Sequence, residues 1–215
     1  MAPDMHKPVT PILSASAGAA LVCGVLLLNL PGAALAVDGT ITINGEITDQ
    51  TCKINGVTPP ANIWVTLPKI SRSALKTKGD VAGATPFQIA LTECPATMSG
   101  EVRAYFEPGR TTDYGTGNLI AYGTSSDITA AASSIPADLG TAKNNVQIQL
   151  ANIDGSVIRM GSDASTQAAR GETLQTSGTT KSATLRYLAR YVRTGDSEPE
   201  AGKLVSYVTY SILYP

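Results

Sequence analysis

The final residues of the chain constrain it most. Residues 207–214 alternate like a strand, with Val208, Tyr210, Ile212 and Tyr214 on one face and Thr209 and Ser211 on the other, and they run to within one residue of Pro215. A strand that ends flush with the chain has no hairpin partner downstream. Its outer edge then presents unpaired N–H and C=O groups, which proteins normally cover or charge. Near the other end, residues 40–44 form a second short alternating segment, with Ile41 and Ile43 opposed to Thr40, Thr42 and Asn44. Together the two segments predict a domain that lacks one strand and donates another.

The opening residues read as an export signal. His6 and Lys7 give a weakly cationic start, an apolar run is centred on residues 19–28, and Pro31 and Gly32 break it. Ala34 and Ala36 then supply the small-x-small pattern of a signal-peptidase site. The expectation is a signal peptide over residues 1–36, cleavage after Ala36, and Val37 as the first exported residue. A single membrane anchor is the alternative, but the run is short for a span. Residues 37–46 are expected to form the donor extension and residues 47–215 the domain itself, a length suited to one domain.

The sequence has 16 basic and 17 acidic residues and one histidine, which falls in the signal. So even a balance argues against an electrostatic nucleic-acid binder. Of three cysteines, Cys23 also falls in the signal, which leaves Cys52 and Cys94 as an even pair in an exported chain. A disulfide between them is expected in an oxidising compartment. It would contribute about 3–4.5 kcal/mol on the chain-entropy account. Two sulfurs without a histidine make a poor zinc site, and no metal motif is present.

The rest reads as strands and turns. Residues 63–67, 87–91, 101–106, 146–150 and 183–192 alternate, with Ile63, Val65 and Leu67 on one face of the first, and Leu185, Tyr187, Ala189 and Tyr191 on one face of the last. Short alternating runs separated by Gly, Pro, Asn and Asp predict an all-β sandwich. Cys94 has the opposite parity to Phe87, Ile89 and Leu91, so a bulge is expected near Glu93. Residues 71–76 suggest one helical turn, and residues 195–202 a turn between the last two strands. Residues 108–145 are too weakly patterned for core and are expected to be surface loop with one or two short strands.

These residues resemble the chaperone–usher pilins, the subunits of type 1-like fimbriae. The matching elements are residues 45–52 with the alternating segment before them, 67–70, 86–94, and the terminal strand with its penultimate Tyr214. Residues 104–109 and 111–114 are similar to the serotype-defining major subunits. Pro215 departs from the polar residue with which many pilins end. The resemblance implies an immunoglobulin-like sandwich missing its last strand, with a groove along the final strand. A periplasmic chaperone would fill that groove first, and the extension of a neighbouring subunit would fill it in the fibre, by β-strand addition. On this reading Val37, Gly39, Ile41 and Ile43 face inward in the donor strand, and Val208, Tyr210, Ile212 and Tyr214 line the acceptor edge. Partners would be other pilin subunits, the chaperone, an outer-membrane usher and a tip adhesin, and the location the cell surface. The alternative is that residues 37–44 serve as an ordinary first strand of their own sandwich.

Catalysis finds no support. Without the histidine, Ser-His-Asp and Cys-His systems are excluded, and there is no nucleophile elbow or phosphate loop. No cofactor is implied. The competing function is a carbohydrate- or polyanion-binding module. Arg186 and Arg190 share one strand face, with Arg193 and Lys203 nearby in sequence, and would be the contacts for sulfated host glycans. A solvated outer face or an intersubunit ion pair is the plainer reading of those charges.

Overall fold

The computed structural model describes residues 40–48 and 51–215. The signal sequence, its cleavage site, Val37 and Gly39 lie outside the described residues. The chain divides into two units, Met1–Glu46 and Ile47–Pro215. Within the first, residues 40–46 are exposed and form no helix or strand, so residues 40–44 are not a first strand of either sheet described below.

The second unit is built of strands with one short 3-10 turn, Arg72–Ala74, whose N-cap Ser71 accepts from the Ser73 N–H. In chain order the strands are β1 (Lys53–Ile54), β2 (Val81–Cys94), β3 (Glu101–Phe106), β4 (Thr112–Asp113), β5 (Asn118–Thr124) and β6 (Ala142–Asn152). Then come β7 (Val157–Ile158), β8 (Glu172–Thr173), β9 (Gln175–Ser177), β10 (Thr180–Arg193), β11 (Lys203–Val205) and β12 (Tyr210–Leu213). The larger sheet has the order β1-β2-β10-β6-β5-β11, with β4, β7 and β9 attached to β5, β6 and β10. The smaller sheet has the order β12-β3-β8, and every described pairing is antiparallel.

The two sheets meet over one core, and period-2 alternation fills it. Ile89 and Leu91 of β2, Leu185 and Tyr187 of β10, Leu150 of β6 and Val102, Ala104 and Phe106 of β3 are all buried. The Tyr187 ring lies 5.3 Å from Phe106 and 5.8 Å from Phe87, edge-on to the former. Its hydroxyl donates to the Arg170 carbonyl at 2.8 Å and accepts from the Ala104 N–H at 3.3 Å. Burial pushes the Tyr187 hydroxyl up to about 12. The phenol thus joins the layers and remains a neutral donor in ordinary buffers.

The expected bulge near Glu93 is present. Lys181 stands opposite Cys94 and Ala183 opposite Leu91, so one extra residue is taken up on β2, and Glu93 has φ 52°. The parity change turns Cys94 inward, where it is bonded to Cys52. The two cysteines tie the start of β1 to the end of β2.

Three expectations need correction. Residues 108–145 hold the short strands expected there, β4 and β5, but they are not all surface: Thr111, Leu119, Ala121 and Tyr122 are buried. Their signal was hidden because buried Thr and Ala break the apolar pattern. Residues 63–67 keep the expected alternation of burial but belong to no strand. Finally, the 195–202 turn does not lead straight into the last strand. After the 195–202 turn, β11 pairs with β5 in the larger sheet, and β12 then pairs with β3 in the smaller. Side chains secure the crossing, where ladder bonds stop: Ser206 donates to the Ile120 carbonyl at 2.7 Å, and buried Thr111 donates to the Tyr207 carbonyl at 2.6 Å.

Candidate functional site

The chemistry of this molecule lies in backbone left unpaired rather than in a cluster of reactive side chains. β12 pairs with β3 through Tyr210–Phe106, Ser211–Tyr105, Ile212–Ala104 and Leu213–Arg103. Its other edge has no strand against it among the described residues. The predicted alternation holds: Val208, Tyr210, Ile212 and Tyr214 are half-buried and pack on the core, while Thr209 and Ser211 are exposed.

A second unpaired edge accompanies it. Across residues 58–70 no main-chain group bonds the main chain of another described residue. Ile63, Val65 and Leu67 are nonetheless half-buried against the same core, with Asn62, Trp64 and Thr66 turned outward. The stretch is therefore extended and seated, yet unladdered. Pro59 and Pro60 precede its alternating residues 63–67 and Pro68 follows them, residues that favour the margin of a sheet over its interior.

Tyrosines of the last strand reach from one edge to the other. The Tyr210 hydroxyl donates to the Ala61 carbonyl at 2.7 Å, and the Tyr214 hydroxyl oxygen accepts from the Cys52 N–H at 3.3 Å. Burial raises the Tyr210 pKa, with Tyr214 beside it adding to the effect. As the last strand is followed backwards from 214 to 210, the facing segment runs forwards from 52 to 61. The two edges are thus opposed in direction and bridged by side chains over an apolar floor. The result is a seam with free main-chain donors and acceptors on both sides and a row of aliphatic and aromatic residues between.

Ile41 and Ile43 lie in the N-terminal unit and are 88% and 90% exposed. Isolated apolar residues on a surface are common, but two alternating isoleucines left almost wholly in water forgo about 1.5–3 kcal/mol each of burial.

The arginine pair separates. Arg186 is exposed and borders a shallow depression of about 440 Å³ that also holds the Glu172 carboxylate. Arg190 is engaged: its guanidinium donates to Gln149 Oε1 at 2.7 and 3.0 Å and to the Gly155 carbonyl at 3.1 Å, and burial lowers its pKa. Arg193 does not accompany them. It has the parity of the core face, is 6% exposed, and donates to the carbonyls of Leu75, Lys76, Gly195 and Asp196. Lys203 pairs with Asp127 at 3.1 Å.

Sequence reasoning found β12 and missed its counterpart. Ile63, Val65 and Leu67 were visible as an alternating run. Periodicity reports a buried face, however, and not whether a backbone edge has a partner.

Comparison with known proteins gives this geometry a context. Residues 67–215 match the family model described as FimA, Type-1 fimbrial protein, A. The chain is 46% identical over 183 residues to the serotype 3 fimbrial subunit of Bordetella pertussis, covering 85% of this chain and 89% of that one. It is 39% identical over 190 residues to the major fimbrial subunit SMF-1 of Stenotrophomonas maltophilia, covering 88% and 99%. Among solved structures, a chain of a chaperone–usher pilus superposes with a TM-score of 0.52 at 17% identity, covering 83% of this chain and 96% of that one. The P pilus rod subunit PapA gives 0.51 at 14% identity, covering 76% and 99%. The structural likenesses establish the fold as the immunoglobulin-like sandwich of pilins, as the sequence led one to expect.

Proposed function

Because this chain belongs to the type-1 fimbrial protein family, we propose that it polymerises by strand donation, with its own extension entering the seam of a neighbouring copy. The protein is a structural, non-enzymatic fimbrial subunit, exported and assembled at the cell surface with other pilin subunits as partners. In the proposed step Val37, Gly39, Ile41 and Ile43 of one subunit face the core of the next. Val208, Tyr210, Ile212 and Tyr214 line one side of the acceptor, and Ile63, Val65 and Leu67 the other.

One observation carries the reading: a half-buried apolar row flanked by two edges without ladder partners. A single extended segment laid between those edges would bond main chain on both sides, the arrangement of β-strand addition. Because the edges are opposed in direction, it would run parallel to one and antiparallel to the other. Burying both isoleucines is worth about 3–6 kcal/mol. Ordering a free extension costs about 1–2 kcal/mol per residue. Main-chain bonds and close fit must therefore supply the surplus. Before assembly the same edge would need cover, which is the place for a periplasmic chaperone strand handed over at an usher. A tip adhesin would meet the rod through the same joint.

Ile41→Asp tests the proposal. The variant is expected to fold and be exported while fibres fail to form, because the substitution alters a donor and leaves the acceptor whole. Normal fibres from Ile41→Asp cells would remove that residue as an anchor. A synthetic peptide of residues 37–46 should raise the melting temperature of the variant subunit; no shift would argue that the seam takes no donor.

A further inference from the structure

We propose that Tyr191 and Arg193, at the end of β10, are positioning residues for strand donation: they hold the 61–76 segment so that its free edge stands ready for a donor. This rests on the strand-donation reading above.

The need for such a device follows from the seam. An edge that must accept main-chain bonds from a donor cannot spend them on a neighbour, so it must be held by other means. Among the described residues, the only hydrogen bonds to the main chain between 58 and 70 come from tyrosine hydroxyls: Tyr210 on the Ala61 carbonyl and Tyr191 on the Pro68 carbonyl, the latter at 3.3 Å. Tyr191 is placed for this by Gly83. That glycine has φ +67°, and a Cβ there would meet the Tyr191 ring at 3.0 Å and the Pro68 ring at 3.3 Å. The aromatic ring thus lies against the β2 backbone with Pro68 beside it.

Arg193 secures the far end. Its Nη1 donates to the Leu75 carbonyl at 3.0 Å and to the Lys76 carbonyl, and Nε donates to the Gly195 carbonyl at 2.9 Å. Its main chain pairs with the same region, through Gly79 N–H to Arg193 O at 2.8 Å and Arg193 N–H to Asp80 O at 2.9 Å. A buried guanidinium whose hydrogen bonds go to main-chain carbonyls makes a brace, because its planar fork fixes several carbonyls in one geometry. Leu185, Tyr187, Ala189, Tyr191 and Arg193 share one face of β10. The first three build the core, and the last two turn the same face to holding the acceptor edge.

Removing the brace should leave the ladders intact and let the 61–76 segment loosen locally, a sub-global opening rather than unfolding. A donor would then have to order that segment as it binds, and its apparent affinity falls with the fraction of subunits already in the competent state.

The test uses the exported subunit carrying Ile41→Asp, whose own extension is disabled, with a peptide of residues 37–46 as probe. Tyr191→Phe keeps the ring and deletes one hydroxyl bond; Arg193→Lys keeps the charge and loses the fork. Peptide affinity is expected to fall about five-fold in the first, the equivalent of one hydrogen bond. In the second it should fall about ten-fold or more. The amides of residues 62–67 should exchange faster in both, and Tyr191→Phe should melt where its parent does. Leu185→Ala serves as the control for simple loss of stability. Unchanged affinity in both variants overturns the brace, as does an affinity loss that merely follows melting temperature along the control. If the parent itself fails to bind the peptide, the strand-donation reading falls and the brace with it.

Discussion

β10 and β12 are both alternating strands with one face on the core, and they differ in what lies along their edges. β10 has β2 against one edge, and β6 and β9 along the other. β12 has β3 on one edge and, among the described residues, no strand on the other. Leu185 and Tyr187 of β10 are 0% exposed, whereas the inward residues of β12 remain half-buried. The same local pattern therefore yields a finished ladder in one place and an unfinished one in the other. Burial is complete where both edges are filled and only partial at the strand whose edge is open.

The largest effect tests whether the two regions unfold as one. The Cys52–Cys94 disulfide spans 42 residues and lies where the seam meets the larger sheet. Replacing both cysteines by Ala should cost about 4 kcal/mol, chiefly by freeing the unfolded chain. Denaturant unfolding followed on both regions should show a single shared shift. A loss confined to the seam residues would mean that the regions are independent.

Next in size is a direct contrast between the strands. Leu185→Ala in β10 should cost about 3 kcal/mol by cavity formation. Ile212→Ala in β12 should cost only about 1 kcal/mol in the empty subunit, because its side chain still meets water. With the 37–46 peptide bound, the Ile212→Ala cost should rise towards that of Leu185→Ala. Equal costs without peptide would show that the seam is already closed.

A pH titration probes a tyrosine of the finished side. Tyr187 titrates near 10 when unfolded and is pushed up to about 12 by burial in the fold. The neutral form is thus the one the fold holds. Its contribution is complete below pH 10, and stability should fall by about 2 kcal/mol as pH rises from 10 to 12. Tyr187→Phe should flatten that limb. A limb that survives the substitution would assign it to Tyr105, Tyr191 or Tyr210, whose pKa values burial also raises.

Much of this contrast was legible in the chain. Period-2 alternation located β3, the centre of β2, the centre of β6 and β10, and the parity of Cys94 foretold the bulge at Glu93. The last strand and its inward face could be read from the shared parity of Val208, Tyr210, Ile212 and Tyr214. What could not be read were relations between distant backbones: that residues 61–67 face β12 without pairing to it, and that a separate strand, β11, lies in the other sheet before the chain crosses to β12. The buried Thr111 and Ala121 were hidden for another reason, since small and polar residues inside a sandwich interrupt the pattern that marks core. Arg193 was the one residue whose parity alone, had it been followed past Tyr191, placed it with the core face rather than beside Arg186 and Arg190.

The smallest expected effect concerns those two arginines, which sequence treats as equivalent and the two edges of β10 do not. Arg190 stands opposite Gln149 of β6 and bonds it, and it also reaches the Gly155 carbonyl in the turn that follows β6. Arg186 stands opposite Gln88 of β2, and both side chains are exposed. Arg190→Ala should therefore cost about 1 kcal/mol, as charged-donor bonds are lost at a partly solvated site. Arg186→Ala should stay within about 0.5 kcal/mol. A double-mutant cycle isolates the cause: Arg190→Ala with Gln149→Ala should show coupling of about 1 kcal/mol, and Arg186→Ala with Gln88→Ala almost none. Equal coupling in the two cycles would mean that the outer face of β10 is uniformly solvated. The Arg190 side chain would then be as free as that of Arg186 to meet an anionic ligand.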